Sequence, residues 1–316
     1  TRALVLFSGG LYSRLVVKIL QEQGITPILV MFKLPFGGGC CNDEMCSFRF
    51  AQNQKAELKI IDCTKGKLFK EYLEVVKSPK HKHGSAMNPC IDCRIFIIKH
   101  SRTLMKKFKC DFIATGEVLG ERPMSQHKQA MDRIEKETDF QDQILRPLSA
   151  KLLPETNAEK QGLVKRSKLY SIQGRQRQPQ FDLAKKYNIQ YPHPAGGCIL
   201  CEKLYSIKLR DLLKHKQTKD IPIEELQILR GFRHLRSTST HTKIILGRDQ
   251  TENTQLELIN KTLKWNIIIP TTPGPTAVYE SKQDTQLVKK IISAYSSKDK
   301  KLRKQFDELL IIKDKN

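Results

Sequence analysis

Short apolar runs alternate with amphipathic stretches along the first 120 residues, and this alternation limits the possible folds more than any other feature. The runs that predict strands lie at 3–7, 27–32, 58–61 and 112–116. The intervening stretches have helical spacing, as at Leu15, Val16, Ile19 and Leu20, and a second helix is predicted over 94–108. Alternating strands and helices are typical of βαβ units. The sequence therefore predicts an α/β fold with a doubly wound parallel sheet.

The chain has 316 residues, a length at which two domains are the default expectation. Residues 121–220 are polar, basic and rich in proline, and we predict short helices and loops that complete the first domain. A strand at 243–247, a helix at 251–263 and a strand at 265–270 follow. We therefore predict a first domain over 1–220 and a smaller α+β domain over 221–316. The second ends in a Lys-rich helix whose apolar stripe is Leu302, Phe306, Leu309 and Leu310.

Positive charge dominates the composition, with 56 Lys+Arg against 33 Asp+Glu and a formal net charge of +23. Such an excess is typical of proteins that approach a polyphosphate backbone, although a solvated Lys-rich surface would give the same count. No apolar run approaches the roughly 18 residues of a membrane helix. The apolar stretch at 3–7 is too short for a signal peptide. We therefore expect a cytoplasmic protein with a nucleic-acid partner and no membrane association.

A glycine-containing loop connects the first predicted strand to the first helix, with the sequence Ser8, Gly9, Gly10, Leu11, Tyr12, Ser13. Glycines let backbone N–H groups approach a phosphate, and the following helix N-terminus favours an anion. In open α/β sheets, ligands bind at the carboxyl ends of the strands. The loop is therefore a candidate phosphate site, with an ordinary strand-to-helix turn as the alternative.

The loop resembles the S-G-G-x-D-S motif of the PP-loop ATPases, which have an adenine nucleotide alpha hydrolase-like fold. That resemblance implies ATP and Mg²⁺ as cofactors and release of pyrophosphate. Tyr12 stands where the motif has an aspartate beside the triphosphate and its Mg²⁺. A phenol is uncharged at neutral pH, so the departure affects the expected metal contact.

Further segments occur in the order found in tRNA 2-thiouridylases: 28–33, Cys40-Cys41, 88–93 and 113–116. This resemblance implies that Met31 and Phe32 flank the adenine and that Thr115 and Gly116 lie beside the nucleotide. Glu117 stands where those enzymes commonly have a histidine.

Nine cysteines include two C-x-x-C pairs, Cys90/Cys93 and Cys198/Cys201. The resemblance implies that Cys93 and Cys198 are catalytic and carry sulfur, with Gly196 and Gly197 allowing a loop to bring Cys198 near the nucleotide. A related branch implies instead a [4Fe–4S] cluster held by Cys90, Cys93 and Cys198, with one iron open for sulfide. Cys201 is a possible fourth ligand.

Structural zinc and a metal-free persulfide relay remain alternatives to the cluster. Cys63 and Cys110 stand beside apolar residues and are predicted to be buried packing thiols. The group Cys40, Cys41 and Cys46 has no assigned role.

Basic, loop-like segments provide the candidate RNA contacts Arg146, Lys151, Arg175 and Arg177. Residues 247–253, together with the Pro-Gly pair at 273–274, resemble the NFACT-R type RNA-binding domain. Arg248 in that segment is a further candidate for phosphate, or for pairing with Asp249 or Glu252.

Together these features predict a tRNA sulfurtransferase that adenylates a uridine carbonyl and then delivers sulfur. The expected partners are tRNA and a sulfur donor, either a protein or inorganic sulfide. One alternative is a catalytically degenerate RNA-binding protein, favoured by Tyr12. A second is an ATP pyrophosphatase that acts on a small molecule.

Overall fold

The computed structural model describes residues 1–37, 44–192, 197–297 and 299–312. It divides into two compact units, 1–201 and 202–316. The first unit ends at residue 201, before the domain boundary predicted at 220, because the helix over 203–215 is hydrogen-bonded to the rest of the second unit. Its Lys208 Nζ donates to the carbonyl of Gly231 at 2.6 Å. Cys40, Cys41 and Gly196 lie outside the described residues.

The first unit is built on a parallel sheet of five strands, counted over the described residues. The strands are β1 (Arg2–Leu6), β2 (Thr26–Lys33), β3 (Glu57–Asp62), β4 (Phe112–Thr115) and β5 (Ile144–Leu145). Their spatial order is β3-β2-β1-β4-β5, with Leu4 of β1 beside Ile28 on one side and Ile113 on the other. The predicted parallel α/β fold is confirmed.

The first unit also contains seven α-helices over its described residues. They are α1 (Leu11–Gln21), α2 (Glu44–Asn53), α3 (Gly66–Lys77), α4 (Cys90–Lys107), α5 (Lys128–Thr138), α6 (Asn157–Lys160) and α7 (Gln178–Lys186). The predicted apolar face of α1 is buried, since Leu15, Val16 and Leu20 have no exposed surface. Helix α4 begins four residues before its predicted start, directly after Pro89. Its first turn therefore contains both cysteines of the first C-x-x-C pair.

The chain order reverses between β1 and β4, which creates a topological switch point at the carboxyl edge of the sheet. Crevices at such points are where open α/β sheets bind ligands. The loop that follows β1 and the segment that follows β4 meet at this point. The fold thus brings the predicted phosphate loop to the expected position.

The second unit contains an antiparallel sheet of four strands over its described residues, in the order β6-β7-β9-β8. The strands are β6 (Arg233–Arg236), β7 (Lys243–Leu246), β8 (Asn266–Ile268) and β9 (Ala277–Tyr279). The helices are α8 (Lys203–His215), α9 (Ile223–Ile228), α10 (Gln250–Leu263), α11 (Thr285–Ser296) and α12 (Lys300–Lys304). This confirms the predicted smaller α+β domain.

The C-terminal stretch departs from the single Lys-rich helix expected over 297–316. Over its described residues it forms the five-residue α12 and then a 3₁₀ turn, Asp307–Leu309. The helix cannot continue, because Leu310 forms a β-bridge with Leu235 and is 8% exposed. Phe306 and Leu309 pack on the same core, whereas Leu302 is exposed. No helix of the described residues is long and apolar enough to cross a bilayer.

Two lysines are buried in the second unit. Lys208 Nζ donates to the carbonyls of Leu229, Gly231 and Phe232, and Lys243 Nζ lies 3.5 Å from Asp211 Oδ2. Burial lowers the pKa of each to about 8, from an ordinary value of 10.5. Between these values the unfolded chain binds more protons than the folded unit, so stability rises with pH there.

This burial predicts an alkaline gain in stability that Lys243→Met removes in part. In urea unfolding followed by fluorescence of Trp265, the single tryptophan, the free energy of unfolding should rise from about pH 7.5 to about pH 9.5. Each lysine contributes at most about 1.4 kcal/mol per pH unit. The methionine variant should give a shallower slope, because only Lys208 then contributes, and Arg236 still pairs with Asp211 in the absence of Lys243. Parallel pH curves for the two proteins would contradict the prediction.

Candidate nucleotide and thiol site

The predicted phosphate loop has the geometry of an anion site. Gly9 has a φ of +78°, a conformation that favours glycine. Helix α1 then begins at Leu11, and Gly10 at its N-cap provides no side-chain cap. Ser13 Oγ donates to the carbonyl of Gly10 at 2.9 Å and closes the turn. The N–H groups of the first turn are thus left without a side-chain cap at the positive end of the helix dipole.

Arg14 holds the loop in shape, and the sequence analysis missed it. Its guanidinium is buried and donates to the carbonyls of Gly9 and Gln190, both at 2.7 Å. It also lies 4.7 Å from the ring centroid of Phe50. The available signal was a charged residue directly before the apolar face of α1. Arg14 therefore fixes the direction of the Gly9 carbonyl, and the N–H of Gly10 in the same trans peptide group points the opposite way.

Gly116 packs against the loop at the switch point. A Cβ atom at this position would lie 2.8 Å from the nitrogen of Ser13 and 2.9 Å from the carbonyl carbon of Tyr12. Only glycine avoids this overlap, so the end of β4 approaches α1 as closely as backbone permits. Thr115 beside it is buried. The structure therefore brings Thr115 and Gly116 to the loop, and their position beside a nucleotide, which the resemblance implies, stays a prediction.

Glu117 forms a buried ion-pair network behind the loop. Its oxygens lie 3.1 Å from Arg94 Nε and 3.0 Å from Arg146 Nε. Burial opposes ionisation, but the two guanidinium groups outweigh it and hold the pKa of Glu117 below its usual value. Arg146 also pairs with Glu135 at 2.5 Å and is 4% exposed. The prediction that Arg146 contacts RNA is therefore wrong, because its guanidinium is buried and already pairs with two carboxylates.

The predicted adenine-flanking residues differ in exposure. Met31 is 1% exposed and its side chain belongs to the core. Phe32 is partly buried and points to the opposite face of β2. A side-chain contact between Met31 and adenine would require its removal from the core, so the prediction for Met31 can be met only through its backbone. Phe32 has side-chain surface for such a contact.

Cys93 lies in the first turn of α4 and accepts a hydrogen bond from the Tyr72 hydroxyl at 3.1 Å. Burial raises the pKa of the Cys93 thiol, while the Tyr72 hydrogen bond acts in the opposite direction. Tyr72 is 1% exposed, so its hydroxyl is fixed among the thiols. Its own pKa is well above the ordinary value, through burial and then through Cys93, Cys198 and Cys90.

The second C-x-x-C segment is joined to the first by a backbone hydrogen bond. Met87 N donates to the carbonyl of Leu200 at 3.0 Å. Cys198 Sγ lies 3.7 Å from the carbonyl oxygen of Phe36, just beyond β2. Desolvation of the sulfur, together with the nearby Cys93, Cys201 and Cys90, raises the pKa of Cys198 to about 12, against a lowering hydrogen bond from the backbone of Leu200. The predicted thiols Cys90, Cys93 and Cys198 therefore share one neighbourhood.

This neighbourhood has the donor chemistry of an iron–sulfur site, since three thiols are the ligand set of a cluster with one open iron. Asn88 Nδ2 donates to Cys90 Sγ at 3.2 Å, and Cys201 is exposed one turn beyond Cys198. Among the described residues, no group of three His, Cys, Asp or Glu side chains is arranged to hold a metal ion. The donors are thus suitable in type and close to one another, but their present arrangement is not that of a bound ligand set.

Of the remaining described cysteines, two are buried as predicted and one accepts a hydrogen bond that the sequence did not predict. Cys63 has no exposed surface and Cys110 is 8% exposed, which confirms both as buried thiols. Cys46, to which no role was assigned, accepts a hydrogen bond from Arg14 at 3.0 Å.

The other candidate RNA contacts differ in how far their charged groups are already paired within the protein. Arg248 pairs with Glu252, one of the two alternatives considered. Arg177 lies 3.4 Å from Glu121, and Lys151 Nζ donates to the carbonyl of Ser167 at 3.1 Å.

Arg175 is exposed and lines a cavity of about 460 Å³. His127 and Lys128 line it as well, and no carboxylate does so among the described residues. Lys128 also pairs with Asp132 outside the lining at 2.5 Å. This surface is the most suitable for an anion among the predicted RNA contacts.

The sequence profile of the tRNA methyl transferase HUP domain matches residues 1–179 of the chain. The chain belongs to this family. The predicted relationship to the PP-loop proteins of tRNA modification is therefore confirmed at the level of the family. The profile of the NFACT protein RNA binding domain matches residues 232–307, which confirms the second predicted resemblance. A search of curated proteins found no match.

Several solved structures are similar to the chain. The U34-tRNA thiolase NcsA from Methanococcus maripaludis, with its [4Fe-4S] cluster, is 20% identical with a TM-score of 0.36 and 72% of each chain covered. A predicted subunit of tRNA methyltransferase from Methanocaldococcus jannaschii is 19% identical, with a TM-score of 0.31 and coverage of 46% of this chain and 69% of that one. A 4-thiouridine synthetase in complex with RNA and ATP is 18% identical, with a TM-score of 0.39 and coverage of 64% and 46%.

The Tyr72 hydrogen bond predicts a measurable change in the Cys93 thiol. In Tyr72→Phe the thiolate loses a donor, so the pH midpoint for alkylation of Cys93 by iodoacetamide should rise. Peptide mass spectrometry resolves the rate at each cysteine, and Cys110 serves as the internal control. An unchanged or lower midpoint for Cys93, with Cys110 unaffected, would show that the hydroxyl does not support the thiolate.

Proposed function

We propose that the protein is an ATP-dependent tRNA sulfurtransferase that forms thiouridine. The observation that carries the proposal is the joining of the two C-x-x-C segments at the edge of the sheet that also bears the phosphate loop. The Met87–Leu200 hydrogen bond makes that connection. Phe36 follows β2 and Cys63 follows β3, so the thiols near them lie at the carboxyl ends of these strands. The loop lies at the end of the adjacent β1.

The first chemical step is activation of the uridine carbonyl. The carbonyl oxygen attacks the α-phosphorus of ATP, an O–P bond forms, and pyrophosphate leaves. The loop at 8–13 would bind the phosphates through backbone N–H groups and the positive end of α1. Arg14 would keep that loop in its binding shape, through its bond to the carbonyl of Gly9.

The second step replaces the activated oxygen with sulfur. In a persulfide route, the terminal sulfur of a persulfide on Cys93 or Cys198 attacks the activated carbon, and AMP leaves with the oxygen. The other thiolate then attacks the inner sulfur, which leaves sulfur on the uridine and a disulfide that an external thiol must reduce. A [4Fe–4S] cluster, if held by Cys90, Cys93 and Cys198, would supply instead an open iron that binds hydrosulfide. In either route Tyr72 would stabilise the Cys93 thiolate by its hydrogen bond.

The decisive experiment measures thiolated nucleosides. Full-length protein, purified anaerobically, is incubated with tRNA, ATP, Mg²⁺ and either sulfide or a persulfide donor, and the digested tRNA is analysed by mass spectrometry. We expect a uridine in which one oxygen is replaced by sulfur, with AMP released. Cys93→Ser and Cys198→Ser should abolish the product, whereas Cys110→Ser should retain it.

Iron and zinc analysis of the same preparation, with an absorption spectrum, distinguishes the sulfur routes. About four irons per chain, lost in Cys90→Ala, would support the cluster. Absence of thiolated product with both donors, from protein that binds ATP and tRNA, would contradict the proposed activity.

Tyr12 favours a second candidate, a PP-loop protein that binds RNA without catalysis. The motif aspartate is absent, and burial together with Glu121 raises the pKa of Tyr12 to about 12, so the phenol stays neutral. This candidate predicts tRNA binding without AMP release. The two are therefore separated by the AMP measured in the same assay.

Binding of tRNA provides a prediction about the cavity beside Arg175. Arg175→Ala should weaken binding and reduce the slope of log K against log salt by about 1, because one phosphate contact is lost. Arg49→Ala, which removes an exposed arginine of α2, is the matched control and should leave the slope unchanged. Equal slopes for Arg175→Ala and the unmodified protein would place the phosphate contacts elsewhere.

A further inference from the structure

Arg14 connects three separate segments of the first unit through one buried guanidinium. Its Nε donates to the carbonyl of Gly9 in the phosphate loop, and its Nη1 donates to the carbonyl of Gln190, each at 2.7 Å. Its Nη2 donates to Cys46 Sγ of α2 at 3.0 Å. A guanidinium is planar and rigid, so it holds its acceptors at fixed positions relative to one another. A displacement of one segment is therefore passed to the others through this group.

The charge of Arg14 is buried without an ion-pair partner. The residue is 4% exposed, and its acceptors are two carbonyl oxygens and a sulfur atom. Within the described ranges of the chain, no carboxylate pairs with it. Buried charges are usually paired, because their removal from water is costly. Arg14 therefore places a positive charge that no carboxylate balances directly behind the phosphate loop.

One peptide group lies between this charge and the side of the loop that would face phosphates. The carbonyl of Gly9 accepts from Arg14, and the N–H of Gly10 in the same trans peptide group points the opposite way. Hydrogen bonds in such a chain polarise and strengthen one another. An anion bound at the N–H of Gly10 therefore strengthens the bond between Gly9 and Arg14, and Arg14 strengthens anion binding to the same extent.

The segment 189–192 precedes Cys198 in the chain, and the structure holds it on two sides. A backbone hydrogen bond of 2.8 Å anchors its start to the end of α7. Arg14 joins it to the phosphate loop at Gln190. Cys198 follows Gln190 by eight positions and is exposed. The contact of Arg14 thus links the loop to the part of the chain that leads to this thiol.

We propose that Arg14 is a positioning residue that couples nucleotide binding at the loop 8–13 to the position and reactivity of Cys198. Bound phosphates hold Arg14 against Gly9, and Arg14 holds Gln190 and with it the chain before the thiol. The inference rests on the proposed function in taking the loop as the nucleotide site and Cys198 as a thiol of sulfur delivery.

Two competing explanations make different predictions. If Arg14 only stabilises the first unit, its replacement lowers the free energy of unfolding, and nucleotide has no effect on Cys198 in any form of the protein. If a bound nucleotide shields Cys198 by direct contact, the effect of nucleotide on the thiol persists when Arg14 is replaced. Only the coupling through Arg14 predicts an effect that is present in the unmodified protein and lost in the variant.

The test measures the reactivity of Cys198 with and without α,β-methylene ATP and Mg²⁺. Full-length protein is alkylated with iodoacetamide, and peptide mass spectrometry gives the rate at Cys198, with Cys110 as the internal standard. Saturating nucleotide should slow the alkylation of Cys198 by about fivefold or more, the lower end of typical couplings between sites. Hydrogen–deuterium exchange of the amides at 189–191 should slow in parallel.

Three variants locate the coupling. Arg14→Met, saturated with nucleotide, should lose the effect on Cys198, because no group then joins the loop to Gln190. Arg14→Lys should retain more nucleotide affinity than Arg14→Met, since it keeps the charge, but it should also lose the effect, because an ammonium lacks the planar fork. Gln190→Ala is the matched control and should behave like the unmodified protein, because Arg14 bonds to the backbone carbonyl.

The outcomes separate this inference from the proposed function. A nucleotide effect that persists in folded Arg14→Met, or that is missing from unmodified protein with nucleotide bound, would overturn the role of Arg14 and leave the sulfurtransferase proposal intact. If Arg14→Met does not fold, Arg14→Lys and the exchange measurement on the unmodified protein test the same point. Failure of the unmodified protein to bind α,β-methylene ATP at all would overturn both proposals.

Discussion

The close approach of Gly116 to the backbone of Tyr12 and Ser13 is the contact on which the rest of the first unit's site depends. It brings the end of β4 against the first turn of α1, at the point where the strand order reverses. Any side chain at 116 would separate these elements, since its Cβ would lie within 3 Å of backbone atoms. The phosphate loop, the buried Glu117 network and the segment that carries Glu121 all take their positions from this junction.

The distribution of charge shows why net charge is a poor guide to a binding surface. The excess of +23 implies a polyanionic partner. Yet Arg14, Arg146 and Lys243 are each at most 4% exposed, and their charges hold the loop, the Glu117 network and the core of the second unit. From the sequence, Arg146 was as good a candidate RNA contact as Arg175, because both are basic residues in polar segments. Only the tertiary structure distinguishes the buried arginine from the exposed one.

The sequence was sufficient for the parts of the structure that depend on periodicity. Buried parallel strands are continuous apolar runs, so β1 to β4 could be placed within a residue or two, and the resemblance located Gly116 and the thiols. It was insufficient where a residue's role depends on a partner far along the chain. The bond of Arg14 to Gln190 and the proximity of Tyr72 to Cys93 join segments whose separation in sequence carries no periodic signal. Likewise, the end of α12 is set by the bridge between Leu310 and Leu235, and not by the local pattern.

Opposing influences act on the pKa values of the thiols Cys93 and Cys198, and their balance would limit the sulfur chemistry of the proposed function. The first turn of α4 and the Tyr72 hydroxyl both favour a thiolate at Cys93, whereas burial favours the protonated thiol and prevails. At Cys198 the pKa is likewise raised, to about 12, so its thiol is protonated at neutral pH. Free thiolates are therefore scarce in this arrangement, so under the proposed function the thiols would have to lose their protons when a metal or a persulfide donor binds. Under the proposed sulfurtransferase activity, such a site would keep its sulfur atoms unreactive until it is loaded, and sulfur delivery would then be coupled to the binding of its partners.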